Sequence, residues 1–113
     1  MQATLSGVNV FLEYISWLKG LNFNVEYVRE SDDTVSGHVS ELCAIDNAPT
    51  LEECKNKLVS TMREISEIFV SDFEFWVSGR PFEAPYVLKV LYSTDEELKH
   101  ELKTTQEYFN RKK

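Results

Sequence analysis

With 113 residues, 42% of them hydrophobic and 27% charged, the chain suits one globular domain and not a disordered segment. A net charge of −7 and a pI near 4.8 weigh against nucleic acid, whose binding draws on Lys and Arg, and favour a basic protein partner. Two cysteines are too few for a disulfide framework, no run approaches the ~20 apolar residues of a membrane span, and the start lacks the charged n-region of a signal peptide, so the expected compartment is the cytoplasm.

Segment 7–19 reads as a first helix. Phe11, Ile15 and Leu18 recur at helical spacing with Val8 and Leu12 beside them, Ser6 is placed to cap the start, and Gly20 fits the stop. Tyr14 and Trp17 widen the stripe, so an aromatic edge is left for a partner if the rest enters the core. A strand over Val8-Asn9-Val10-Phe11 stays open as an alternative.

Residues 23–29 alternate, with Phe23, Val25 and Tyr27 on one side and Asn24 and Glu26 on the other, as in a half-buried strand. Ser31-Asp32-Asp33-Thr34 is a turn, because short polar side chains there bond to the local backbone. Val35 to Cys43 is the second strand of the hairpin, and a short third strand follows through Ala44-Ile45.

Thr50-Leu51-Glu52-Glu53 is a helix start. A capping box is expected, with the Thr50 hydroxyl accepting from the Glu53 amide and the Glu53 carboxylate reaching back. Leu51, Cys54, Leu58, Met62, Ile65 and Phe69 then share one face, which marks the main core helix. Phe73 and Trp76 continue the helical phase to Gly79, although residues 73–77 also suit a strand. The two prolines of Arg80-Pro81-Phe82-Glu83-Ala84-Pro85 read as a connection. Tyr86 to Tyr92, apolar apart from Lys89, reads as a further strand. A last helix starts at Ser93 or Thr94, with a narrow stripe of Leu98, Leu102 and Phe109 and Thr105 between them.

The expected architecture is one α+β domain over residues 1–113. An antiparallel hairpin or three-stranded sheet packs on one main amphipathic helix, with an extra N-terminal helix and a C-terminal strand plus helix.

No cofactor or catalytic constellation is legible. His38 and Cys43 stand in no catalytic motif, and Cys43 and Cys54 lack the closely repeated Cys/His pairs of a zinc site. Asp32, Asp33, Glu41 and Asp46 cluster in sequence around the hairpin, but turn chemistry and solvation account for them better than a metal pair. The four glycines are too far apart to cradle a phosphate, and Arg111-Lys112-Lys113 reads as a solvated tail. The chain is therefore expected to bind rather than to catalyse. Trp17 and Trp76 are candidate aromatic anchors, and Asp32, Asp33 and Glu41 candidate acidic contacts.

The order hairpin, short strand and Thr-capped helix, from Phe23 to about Ile68, resembles the HicB-like antitoxin family. Phe23-Asn24-Val25-Glu26-Tyr27 is similar to that family's first strand and Asp32-Asp33 to its acidic turn. Val39-Ser40-Glu41-Leu42-Cys43 resembles its strand end before a Cys-containing turn, Thr50-Leu51-Glu52-Glu53 its helix start, and Phe75 to Pro85 its short segment ending in proline. The resemblance implies a degenerate ribonuclease-H-like hairpin–helix core over about residues 23–78. It also implies a partner, a small basic HicA-like toxin that cuts mRNA. The sticky first helix and the narrow last one both leave apolar edges, so a homodimer is expected. Element order and acidity also resemble a type III secretion chaperone, and a stand-alone regulatory or scaffold domain is a third reading.

Overall fold

The computed structural model describes residues 2–102 of the chain, with side chains from residue 7 onward. Helix α1 (Gln2–Gly20) leads into a three-stranded antiparallel sheet, β1 (Val25–Arg29), β2 (Val35–Val39) and β3 (Ala44–Ala48), in the order β1-β2-β3. Helices α2 (Leu51–Ser71), α3 (Phe73–Gly79), α4 (Ala84–Leu91) and α5 (Asp95–Glu101) follow. The architecture is α+β, with α2 laid across one face of the sheet.

Both hairpin turns are set by one residue in the left-handed region. Arg29 pairs with Val35, and Asp33 (φ 72°) closes the five-residue turn between them. Asp32 shapes that turn: its Oδ1 accepts from the Thr34 amide at 3.0 Å and the Thr34 hydroxyl at 2.6 Å. The second strand is shorter than its apolar content suggests. It stops at Val39, Ser40–Leu42 form a 3-10 turn, and Cys43 (φ 55°) turns the chain so that Ala44 pairs back with Val39. Had the strand run to Cys43, the Val39–Ala44 register would have no residues left to reverse direction.

Alternation then decides what each strand buries. Val35, Gly37 and Val39 face α2, while Ser36 and His38 face away. Gly37 lets α2 come close: a Cβ there would lie 2.8 Å from Leu58 Cδ1 and 3.0 Å from Cys54 Sγ. From α2 come Cys54, Leu58, Val59, Met62 and Phe69, all buried, with Leu51 and Ile65 packed at the margin. This is the predicted helix face, extended by Val59 and Ser66.

The N-terminus of α2 is capped by Thr50, whose Oγ1 accepts from the Glu53 amide at 3.1 Å. The Glu53 carboxylate turns to the Thr50 hydroxyl at 3.2 Å instead of the Thr50 amide, so half of the expected box is present. The full reciprocal box is at α5, where Thr94 accepts from the Glu97 amide and Glu97 accepts from the Thr94 amide.

Three further expectations need correction. Residues 73–77 are helical, but not as a smooth continuation of α2: Asp72 leaves the helical region (φ −134°, ψ 59°) and separates α3 from it. The strand expected at Tyr86–Tyr92 is helix α4. Its Pro85 lies in the first turn, where a missing N–H costs nothing, and Val87, Val90 and Lys89 turn inward together. Helix α1 begins at Gln2, so Ser6 lies within it and does not cap it. The expected stripe positions Thr105 and Phe109, and the basic tail Arg111–Lys113, lie outside the described residues.

Charged side chains fasten the helical half. Arg63 on α2 donates to the Val90 and Ser93 carbonyls, both at 2.6 Å, and pairs with Asp95. It thereby adds a second donor to the Val90 carbonyl, which already accepts from the Ser93 amide, and reaches the Ser93 carbonyl just past the end of α4. Lys89 is fully buried; its Nζ donates to the Lys19 carbonyl at 2.7 Å and pairs with Glu101 at 2.9 Å. Its cation sits at the negative end of α1, the favourable end for positive charge. Tyr27 on β1 donates to the Leu102 carbonyl at 2.6 Å, tying the sheet to the end of α5.

Candidate partner-binding surfaces

Two exposed apolar surfaces stand out. The first is α1. Leu18 is buried and Ile15 half-buried, but Val8, Val10, Phe11, Leu12, Tyr14 and Trp17 are all exposed, and Tyr14 stacks on Trp17 with ring centroids 5.7 Å apart. Over residues 2–20 the only charges are Glu13 and Lys19. An apolar face this wide, broken only by the Asn9, Glu13 and Ser16 side, is normally enclosed, so its exposure marks a candidate contact surface.

The second is a groove of about 290 Å³ between the 3-10 turn at residues 40–42, the C-terminal half of α2, and α3. Leu42, Ile65, Ile68, Phe69 and Trp76 form its apolar lining, and Cys43, Arg80 and Glu83 its polar edge. Helix α3 buries none of its residues although it reads Phe-Glu-Phe-Trp-Val, and it leaves Phe73 and Phe75 exposed beside the groove. A shelf lined by Glu64, Glu67, Ile68 and Ser71 adjoins it, with Ile68 shared between the two. Residues 64–83 carry the carboxylates Glu64, Glu67, Asp72, Glu74 and Glu83 against Arg80 as the only Lys or Arg. Arg80 is itself paired with Glu83 at 2.7 Å; that bond and charge, and next the Cys43 sulfur, hold its pKa above the usual value.

The five residues singled out in the sequence do not form one patch. Trp17 lies on exposed α1, and Trp76 is half-buried in the groove. Asp32 and Asp33 occupy the β1–β2 turn. Glu41 lies at the other end of that hairpin, where its two oxygens accept from the Asn24 backbone amide (2.8 Å) and side-chain amide (2.6 Å). Glu41 thus pins the start of β1 to the 3-10 turn, and Asp32 is engaged with Thr34, which lowers its pKa. Sequence reading missed the groove, since its lining comes from residues spread between 42 and 83.

Cys43 and His38 also lie apart in role. His38 is on the strand face turned away from α2, while Cys43 is at the groove edge beside Arg80. Cys54 is buried against β3, and burial, with Asp46 nearby, pushes its thiol up to about 11, so it is a packing residue at neutral pH. Among the described residues no group of three or more His, Cys, Asp or Glu is arranged to hold a metal ion, and no helix is long and apolar enough to cross a membrane.

A Phd-like family profile, described as the antitoxin of a RelE/RelB toxin–antitoxin system, matches residues 10–104. The chain belongs to this antitoxin family. The match takes in most of α1 and everything through α5, so the N-terminal helix is part of the family unit and not an addition to a hairpin–helix core. No curated protein matches the chain. A crystal structure from Syntrophomonas wolfei subsp. wolfei, described as the antitoxin part of a toxin/antitoxin system, superposes with a TM-score of 0.70 at 22% identity. The superposition covers 80% of this chain and 67% of that one, and at this identity it speaks to the fold. Neither comparison points to HicB-like antitoxins in particular; the resemblance seen in the sequence holds at the level of antitoxin.

Proposed function

We propose that the chain is a non-catalytic, cytoplasmic antitoxin that masks a small basic toxin by surface contact and works as a homodimer. Membership of the antitoxin family carries this reading. The net charge of −7 supports a basic partner, because opposite charge speeds and orients encounter while buried apolar anchors hold the complex. The family description points first to a RelE-type toxin, and the hairpin–helix resemblance to a HicA-like ribonuclease.

The two apolar surfaces divide the work. Helix α1 offers a basic partner almost no charge to recognise, which suits a second copy of itself, and closed two-fold dimers are the commonest oligomers. The acidic turn at Asp32 and Asp33 and the groove around Trp76 suit the toxin.

The test is a pull-down from the native host at low and high salt, with light scattering on the purified chain. The expected result is a small basic protein, captured more strongly at low salt, and a dimer mass. Capture of an unfolded secretion substrate alone, or tight DNA binding by the chain alone, would refute the antitoxin reading. A monomer mass at working concentrations would refute the dimer.

A further inference from the structure

We infer that the groove between the 40–42 turn, α2 and α3 is where the toxin docks, and that it takes an amphipathic segment with apolar side chains flanked by Lys or Arg. This deepens the antitoxin reading and rests on it.

The argument is one of shape and charge together. The lining is five apolar side chains, of which Trp76 and Phe69 are aromatic, and Trp is the side chain most often found at the energetic centre of an interface. An apolar lining alone would accept any greasy surface. Here the adjoining shelf sets Glu64 and Glu67 about one helical turn apart, together on the side of α2 next to Ile68. Glu64, Glu67, Asp72 and Glu74 are exposed, and Arg80 is already neutralised by Glu83. An acidic segment would be repelled from this rim, and a neutral one would leave the carboxylates without partners. A basic amphipathic segment fills the groove and meets the rim at once. Helix α1 lacks such a rim, which separates the toxin site from the proposed dimer surface.

The experiment uses the full chain with Trp17→Phe, so that Trp76 is the only tryptophan and reports on the groove directly. The probe is a Leu/Lys amphipathic helical peptide of about five turns (~18 residues), with a Leu/Glu peptide of the same pattern as control. The Leu/Lys peptide is expected to shift and quench Trp76 emission, more strongly at low salt, and the Leu/Glu peptide to leave it unchanged. Ile68 is 54% exposed, so Ile68→Asp leaves the core intact; it should weaken binding at least about tenfold. Glu64→Lys with Glu67→Lys should do likewise and flatten the salt dependence, whereas Glu96→Lys, outside the groove, should not. Equal binding of both peptides, or binding indifferent to both groove variants, overturns the proposal.

The pull-down separates this inference from the reading beneath it. A toxin captured equally well by wild type and Ile68→Asp would sink the groove and leave the antitoxin standing. Capture of no basic protein by wild type would sink the antitoxin reading, and with it a toxin in the groove.

Discussion

Helices α1 and α2 are nearly the same length, 19 and 21 residues, and both carry apolar side chains at helical spacing, yet they end in opposite situations. Helix α2 keeps its apolar residues to one side and its charges to the other, so the sheet covers one face and water the other. Helix α1 is apolar around more than half of its circumference, with Asn9, Glu13 and Ser16 as its polar side, and one docked face cannot cover it. It buries Leu18 near its C-terminal end and leaves six large apolar side chains exposed. What separates a buried helix from an exposed one here is the segregation of its apolar residues, not their number.

The largest effect that sharpens this contrast is expected on α2. Leu58 is fully buried, and Leu58→Ala should cost ~2–5 kcal/mol of unfolding free energy, measured by urea titration. A change within about 0.5 kcal/mol, the scale of ordinary surface substitutions, would show that the face is not packed as described.

Next is the opposite wall of the same contact. Gly37→Ala places a methyl against Leu58, Cys54 and Tyr27 at 2.8–3.0 Å, so overpacking of ~1–3 kcal/mol is expected. A neutral result would mean that the sheet and α2 can slide apart.

On α1 the corresponding substitution should do little to the isolated protomer. Phe11 is 54% exposed, and Phe11→Ala should fall within about 0.5 kcal/mol at high dilution. The same variant should lower thermal stability in a concentration-dependent way if α1 pairs with a second copy, because association of the folded state adds stability by mass action. Equal melting temperatures for wild type and variant across a wide concentration range would break the dimer half of the comparison.

The smallest effect is electrostatic. The carboxyls of Asp32 (bonded by Thr34), Glu52 (by Lys99) and Glu97 (by the Thr94 amide) are all held below their ordinary pKa. A depressed folded pKa contributes stability above the unfolded value, here 3.8–4.5, and that contribution is lost as pH falls through the lowered folded values. A modest fall in urea midpoint is expected below about pH 4.5. A midpoint that holds or rises there would contradict it.

How much of this was legible in the residues follows the range of the forces involved. The first hairpin turn, the third strand, the Thr50 cap, the α2 face and the start of the last helix at Ser93 or Thr94 are set by neighbours within a few positions, and they could be read directly. Helix α4 could not, because its valines, tyrosines and flanking proline argue locally for an extended chain while its inward face is decided by packing under α2. The jobs of Glu41, Arg63 and Lys89 depend on partners 12 to 70 residues away, which no spacing rule reaches. The same is true of the groove, which exists only once Leu42 and Trp76 have been brought together.

Lys89 makes the two ends of the folded unit answer to each other. Its ammonium group, sealed from water, is shared between the last turn of α1 and the last residue of α5. Neither helix can leave alone without taking away one of the two partners of this buried charge, the Lys19 carbonyl or the Glu101 carboxylate, and breaking a buried pair costs more than freeing a surface helix. Proteases that trim one end should therefore loosen the other as well. The order in which the two ends become susceptible to cutting would reveal whether this fastening opens in one step or in two.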